Sequence, residues 1–278
     1  MPPLLKSQAM SRLRVSAISF LNTAPLMWDF DHGELRRKYQ VEYTVPAACA
    51  EMLRQGMADI GIIPVAAYGT IPDIQVIPGI AIAAKGPVSS ILLVTKVPVE
   101  EIRRVAADTS SRSSVALLKV LFANWYGASP EFVPMEPKLD RMVAECDAAL
   151  LIGDPALKAD TTGYEVRDLA TEWVQFTGKP FVFAFWVVRK GAASAEVVRD
   201  FQASRDNGLM PQNLEKTARE WSVRLGLSEA AIISYLRDNI FYQLDAECLA
   251  GLKLFYRYAA EAGAIPGIPE LTFAADPM

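Results

Sequence analysis

Unbroken apolar runs constrain this chain most: Ile60-Gly61-Ile62-Ile63-Pro64-Val65, Ala148-Ala149-Leu150-Leu151-Ile152 and Phe181 to Val188. A strand with one wet face alternates apolar and polar residues, whereas an unbroken run suits a strand covered on both faces, as in a parallel sheet under helices. Strand and helix signals alternate around the first run. Val15, Ala17 and Ile18 mark a strand, and a helix is expected to begin near Pro25, where a missing N–H is harmless, and to close at Arg36-Arg37-Lys38. Val41 to Val45 alternates as a second strand, and Ala47 to Gln55 reads as a helix stopped by Gly56. Repeated strand–helix units of this kind predict an α/β fold with a doubly wound sheet.

Ile74–Ile77 reads as a short strand, and Gly79 to Ala84 leads through Lys85-Gly86-Pro87 into Val88 to Thr95, a long strand leaving the first lobe. A second series of units then starts at Arg103. It comprises a strand to Ala107, a helix to Tyr126 with Val115, Leu118, Phe122 and Trp125 on its buried face, a strand at Phe132-Val133, a helix over Leu139–Glu145 and the Ala148–Ile152 strand. Phe181–Val188 is the natural return crossing. Two crossings imply two lobes and a cleft, divided as residues 1–95 plus 189–278 and residues 96–188, which suits a chain of 278 residues. The remainder reads as helices: Ser194 to Arg205 stopped by Asn207-Gly208, Pro211 to Leu225 stopped by Gly226, one opened by Ser228, and Ala246 to Ala262.

Composition narrows the function. The net charge is −4 with a pI near 5.3, and the basic residues are dispersed, so the footprint of a nucleic-acid binder is missing. Cys49, Cys146 and Cys248 lie far apart without a Cys-x-x-Cys, which argues for buried small hydrophobes in a reducing compartment rather than a metal set. His32 is the single histidine, at an expected surface position beside Gly33, leaving little from which to build a Ser-His-Asp arrangement. Dinucleotide, Walker and zinc-protease motifs are missing, so no cofactor and no metal are expected. Met1 to Arg12 lacks the apolar core of a secretory signal and no later run suits a membrane span, so a cytoplasmic protein without membrane contact is expected; a homodimer stays open.

What remains is a set of hydroxyl and amide groups at strand ends. Asp108-Thr109-Ser110-Ser111-Arg112-Ser113-Ser114 lies between a strand and a helix, where hydroxyls cap orphan N–H groups and the helix start attracts anions. Asn22 and Thr23, Ser89 and Ser90, and Asp154 occupy other such loops, and ligands in open α/β sheets bind at the carboxyl ends of strands. Asp154 could be a base, an orienting group or, as its spacing to Pro155 favours, a helix cap. Phe181, Phe183, Phe185 and Trp186 could line a ring pocket, though aromatics on both faces of a strand more often fill a core.

Taken together, Ser19-Phe20-Leu21-Asn22-Thr23-Ala24-Pro25-Leu26, Gly56 to Val65, Gly86-Pro87-Val88-Ser89-Ser90, Asp108 to Ser114 and Gly153-Asp154-Pro155-Ala156-Leu157 resemble the chorismate dehydratases of the futalosine route to menaquinone. The match runs over most of Arg14 to Ala262. The resemblance implies a type II periplasmic-binding-protein-like fold, two α/β lobes with a ligand cleft between them, and a lyase converting chorismate to 3-[(1-carboxyvinyl)oxy]benzoate. It implies Asn22 as the catalytic amide, and Ser19, Thr23, Ser89, Ser90, Thr109, Ser110, Ser111, Arg112, Ser113 and Asp154 as substrate-binding groups. The sister 1,4-dihydroxy-6-naphthoate synthase resembles the chain in fold but has a His-Glu pair where Gly153-Asp154 stands. A non-catalytic binder of small carboxylates is the competing reading. With few bases available, the substrate's own enolpyruvyl carboxylate is expected to remove the ring C3 proton.

Overall fold

A computed structural model describes residues 12–274; the amino-terminal stretch on which the leader-free expectation rests lies, apart from Arg12, outside it. Two five-stranded sheets organise the chain. The first contains β1 (Leu13–Ile18), β2 (Tyr39–Thr44), β3 (Ile60–Pro64), β4 (Ile74–Ala84) and β10 (Phe181–Arg189) in the order β2-β1-β3-β10-β4. The second contains β5 (Ile91–Thr95), β6 (Arg104–Asp108), β7 (Glu131–Met135), β8 (Ala148–Ile152) and β9 (Glu165–Asp168) in the order β7-β6-β8-β5-β9. β1 is parallel to β2 and β3, and β6 to β7 and β8; β10 and β5 run antiparallel to their neighbours. Every residue of β3 and β8 is buried, as their unbroken apolar runs require.

The crossings fall elsewhere than expected. A boundary at 95/96 assigns β5 to the first lobe, yet its backbone pairs with β8 and β9; residues 181–188, assigned to the second lobe, pair with β3 and β4. Each buried strand needs partners for its N–H and C=O groups inside one sheet. The chain therefore passes between sheets in the irregular segments 85–90 and 178–180.

Helices cover the sheets: α1 (Trp28–Asp31), α2 (Leu35–Lys38), α3 (Pro46–Arg54), α4 (Arg112–Leu121), α5 (Leu139–Glu145), α6 (Gly153–Lys158), α7 (Leu169–Thr177), α8 (Ala195–Gly208), α9 (Pro211–Leu225), α10 (Glu229–Ser234) and α11 (Ala246–Glu261). The expected helix from Pro25 to Lys38 is a tight 3₁₀ turn, Leu21–Met27, followed by α1 and α2, with Gly33, a poor helix former, at the break. Trp125 is 46% exposed, because α4 widens into a π turn over Phe122–Tyr126 that rotates Tyr126 into the buried place. Gly208 is no left-handed stop: it lies inside α8, where an added Cβ would stand 1.9 Å from the Pro25 carbonyl oxygen. Only glycine lets α8 approach the turn that carries Asn22. No helix among the described residues is long and apolar enough to cross a membrane.

Candidate active site in the cleft between the sheets

The carboxyl ends of β1, β3 and β8 converge, so Ile18, Pro64 and Ile152 line a common void. The start of α4 adds Ser111, Ser113 and Ser114; the 3₁₀ turn after β1 adds Phe20 and Asn22, α6 adds Gly153, and β10 adds Phe183. The void measures about 40 Å³. That is room for a few waters and no more, so the cleft is closed to a larger ligand in this conformation.

Contacts between the two lobes shut it. The Leu21 N–H donates to Asp154 Oδ1 at 2.9 Å, Ala47 N–H to the Ser110 carbonyl at 3.1 Å, and Ala66 N–H to Ser113 Oγ at 3.2 Å. The Phe20 ring lies against Gly153, whose φ is +59° and whose added Cβ would come within 2.5 Å of that ring. A side chain at 153 would thus meet both backbone strain and the ring. Burial raises the Asp154 pKa, opposed by the Leu21 N–H and by the charges of Arg224 and Lys158.

The hydroxyl groups divide by what they touch. Ser111 is the N-cap of α4 and accepts from Ser114 N–H at 3.1 Å, leaving the first N–H groups of the helix uncapped by side chains. Ser110 Oγ donates to Asp108 Oδ1 at 2.6 Å, closing the loop on the buried Asp108. Thr23 is buried and donates to Asn22 Oδ1 at 3.3 Å, which leaves the Asn22 NH₂ free of that contact. Ser90 is fully buried; its Oγ accepts from the Tyr235 hydroxyl at 2.8 Å and its carbonyl accepts from Gly153 N–H at 2.8 Å.

Several expected members lie away from the void. Ser19 lines a neighbouring cavity of about 440 Å³ with Asp31, His32, Tyr43 and Arg224. His32 there packs on Trp28 and faces Glu220 at 3.3 Å. Thr109 and Arg112 are exposed and line an outer groove with Lys119 and Phe132; Thr109 precedes the N-cap Ser111, and α4 turns its first residue, Arg112, away from the cleft. Ser89 is exposed at a φ of +60°, held by its N–H to Asp168 Oδ2 at 2.6 Å. Asp154 is not a helix cap: α6 has no side-chain cap, and the carboxylate reaches across to Leu21 instead. Of the aromatic strand, Phe183 borders the void, while Phe181, Phe185 and Trp186 fill the core.

Comparison with known proteins adds a second line. A family model described as menaquinone biosynthesis matches residues 13–261. A chorismate dehydratase from Thermus thermophilus is 32% identical over 272 residues, covering 90% of this chain and 94% of that protein. The chain belongs to this menaquinone biosynthesis family. In fold it is similar to the alkanesulfonate-binding protein of Xanthomonas axonopodis pv. citri, with a TM-score of 0.67, 19% identity and 95% and 96% of the two chains covered. It is also similar to the periplasmic aliphatic sulphonate binding protein of Escherichia coli, with a TM-score of 0.64, 19% identity and 96% and 94% covered. The architecture is therefore that of a two-lobed periplasmic-binding-protein-like fold, as expected.

In this member of the menaquinone biosynthesis family, sequence reasoning passed over Tyr235. It sits among apolar helical residues, Ile232, Ile233 and Leu236, and reads as core. Phe20 and Gly153 were visible only as parts of motifs, since their contact joins residues from different lobes.

Proposed function

We propose that this protein is a lyase that dehydrates chorismate to 3-[(1-carboxyvinyl)oxy]benzoate for menaquinone biosynthesis, in the cleft between its two sheets. The observation that carries this reading is the likeness to the Thermus thermophilus chorismate dehydratase along nearly the whole of both chains. The cleft supports it chemically. Its lining brings hydroxyls, amides and apolar walls together, with no Arg or Lys among the described lining residues. Ser111, Ser113 and Ser114, with the start of α4, would hold a carboxylate by hydrogen bonds, which to a charged partner contribute about 1.5–3 kcal/mol each.

In the reaction the C3–H bond breaks, its electrons form the last ring double bond, and the C4–O bond breaks. The proton passes to the enolpyruvyl carboxylate, which hands it on to the leaving C4 hydroxide, so one water departs and the carboxylate is regenerated. Holding that carboxylate beside C3 replaces a protein base, since effective molarities of well-placed intramolecular groups reach about 10⁵–10⁸ M. Asn22, oriented by Thr23, stabilises developing charge through its NH₂. Asp154 closes the lobes through Leu21, and Ser90 supplies a further hydroxyl. The reading carries a reducing, cytoplasmic setting, which the three unpaired buried cysteines suit.

Incubation of the purified protein with chorismate, followed by ultraviolet spectra and product mass, tests the assignment. Loss of the cyclohexadiene with appearance of the aromatic enol ether is the expected result. Chorismate bound but unchanged would instead support a carboxylate-binding protein.

A further inference from the structure

We propose that Tyr235 is a positioning residue for the cleft: by donating its hydroxyl proton to Ser90 it directs the Ser90 proton toward a bound anion. The inference rests on the reading of the cleft as a substrate site. Tyr235 is 5% exposed, Ser90 is fully buried, and their oxygens lie 2.8 Å apart. A serine hydroxyl carries one proton and two lone pairs. With a lone pair taken by Tyr235, and no acceptor for the Ser90 hydroxyl among the described residues, the serine proton is uncommitted. A buried donor without an acceptor is unfavourable, so a ligand oxygen reaching it when the lobes part is welcomed. The neighbours fix where that is: Ile91 follows Ser90 in the chain and Gly153 donates to the Ser90 carbonyl, and both line the void.

The element that carries Tyr235 is built to hold this place. Tyr235 opens a π turn, Tyr235–Asn239, a widened geometry found disproportionately at functional sites. At the other end of the turn, Asn239 Nδ2 donates to the Pro87 carbonyl at 2.9 Å. The turn thus grips the crossing segment 85–90 at two points. Burial raises the Tyr235 pKa, so the phenol keeps its proton and can donate it to Ser90.

The test is a double-mutant cycle on the full chain. Tyr235→Phe should lower kcat/KM for chorismate about ten- to a hundredfold, the worth of a hydrogen bond to a charged group, while the melting temperature shifts little. Ser90→Ala should lose a similar factor, and Tyr235→Phe should add less than about twofold in the Ser90→Ala background, because coupled residues are not additive. Tyr242→Phe is the control, removing a buried hydroxyl that has no partner among the described residues, and should leave the rate unchanged. Isophthalate, an aromatic dicarboxylate, is titrated by calorimetry into the same proteins. If the unsubstituted protein leaves chorismate intact, the dehydratase reading fails, yet isophthalate affinity must still fall in Tyr235→Phe and fall no further in the double variant. Unchanged kinetics and affinity in Tyr235→Phe, or a full additional loss on top of Ser90→Ala, would overturn the proposal.

Discussion

In the proposed reaction Asn22 is the side chain on which the chemistry turns; it lines the void, and Thr23 donates to its carbonyl oxygen. Asn22→Ala is expected to lower kcat about a hundredfold or more, the usual loss for a charge-stabilising donor, with little change in the melting temperature. Arg112, by contrast, was placed near the substrate on its position in a serine-rich loop, and its side chain lies in the outer groove. Arg112→Ala should therefore keep turnover within about twofold of the unsubstituted protein, measured in the same assay. Helix phase is the reason: once Ser111 is the N-cap, the next residue points away while Ser113 and Ser114 return to the cleft. Asp154 gives a pH signature. Its folded pKa is raised by burial, so its contribution to stability is full below the unfolded value of about 3.9 and is lost as pH rises through the folded value. Asp154→Asn keeps an acceptor for the Leu21 N–H without the charge; thermal melts should show it above the unsubstituted protein at neutral pH, with the gap closing toward pH 4.

Among the elements, those whose pattern is local were legible and those fixed by distant partners were not. β3, β8, α5, α9 and α11 stand where apolar runs, caps and glycines place them. β9 and α7 escaped notice because Glu165-Val166-Arg167-Asp168 is a short, polar edge strand. The tight turn Leu21–Met27 was read as a loop at Asn22-Thr23 running into a helix from Pro25; its shape depends on α8, which approaches the turn only because residue 208 lacks a Cβ. Gly208→Ala, forcing a methyl against the Pro25 carbonyl, should destabilise the fold by about 1–3 kcal/mol in urea titration and lower kcat/KM by displacing Asn22. Gly153→Ala meets Phe20 and a left-handed backbone together, so it should impair lobe closure, and Phe20→Ala should restore only the part of the loss due to the ring.

For the molecule as a whole, two lobes, a cleft at strand ends and a family resemblance were all readable from residues, whereas the points of crossing were not. The chain shows where apolar runs lie but not which sheet recruits them, and β5 and β10 each pair beyond their crossing segment. A void of about 40 Å³ is far below the roughly 300 Å³ or more of a small-molecule site, so the proposed function calls for a wider cleft than this conformation offers. The most direct measurement is a crystal structure with 3-[(1-carboxyvinyl)oxy]benzoate bound. The ligand is expected between Asn22 and the Ser111–Ser114 turn, with the Phe20 ring moved off Gly153; a ligand lodged instead beside Arg112 and Lys119, with the cleft still shut, would contradict this assignment.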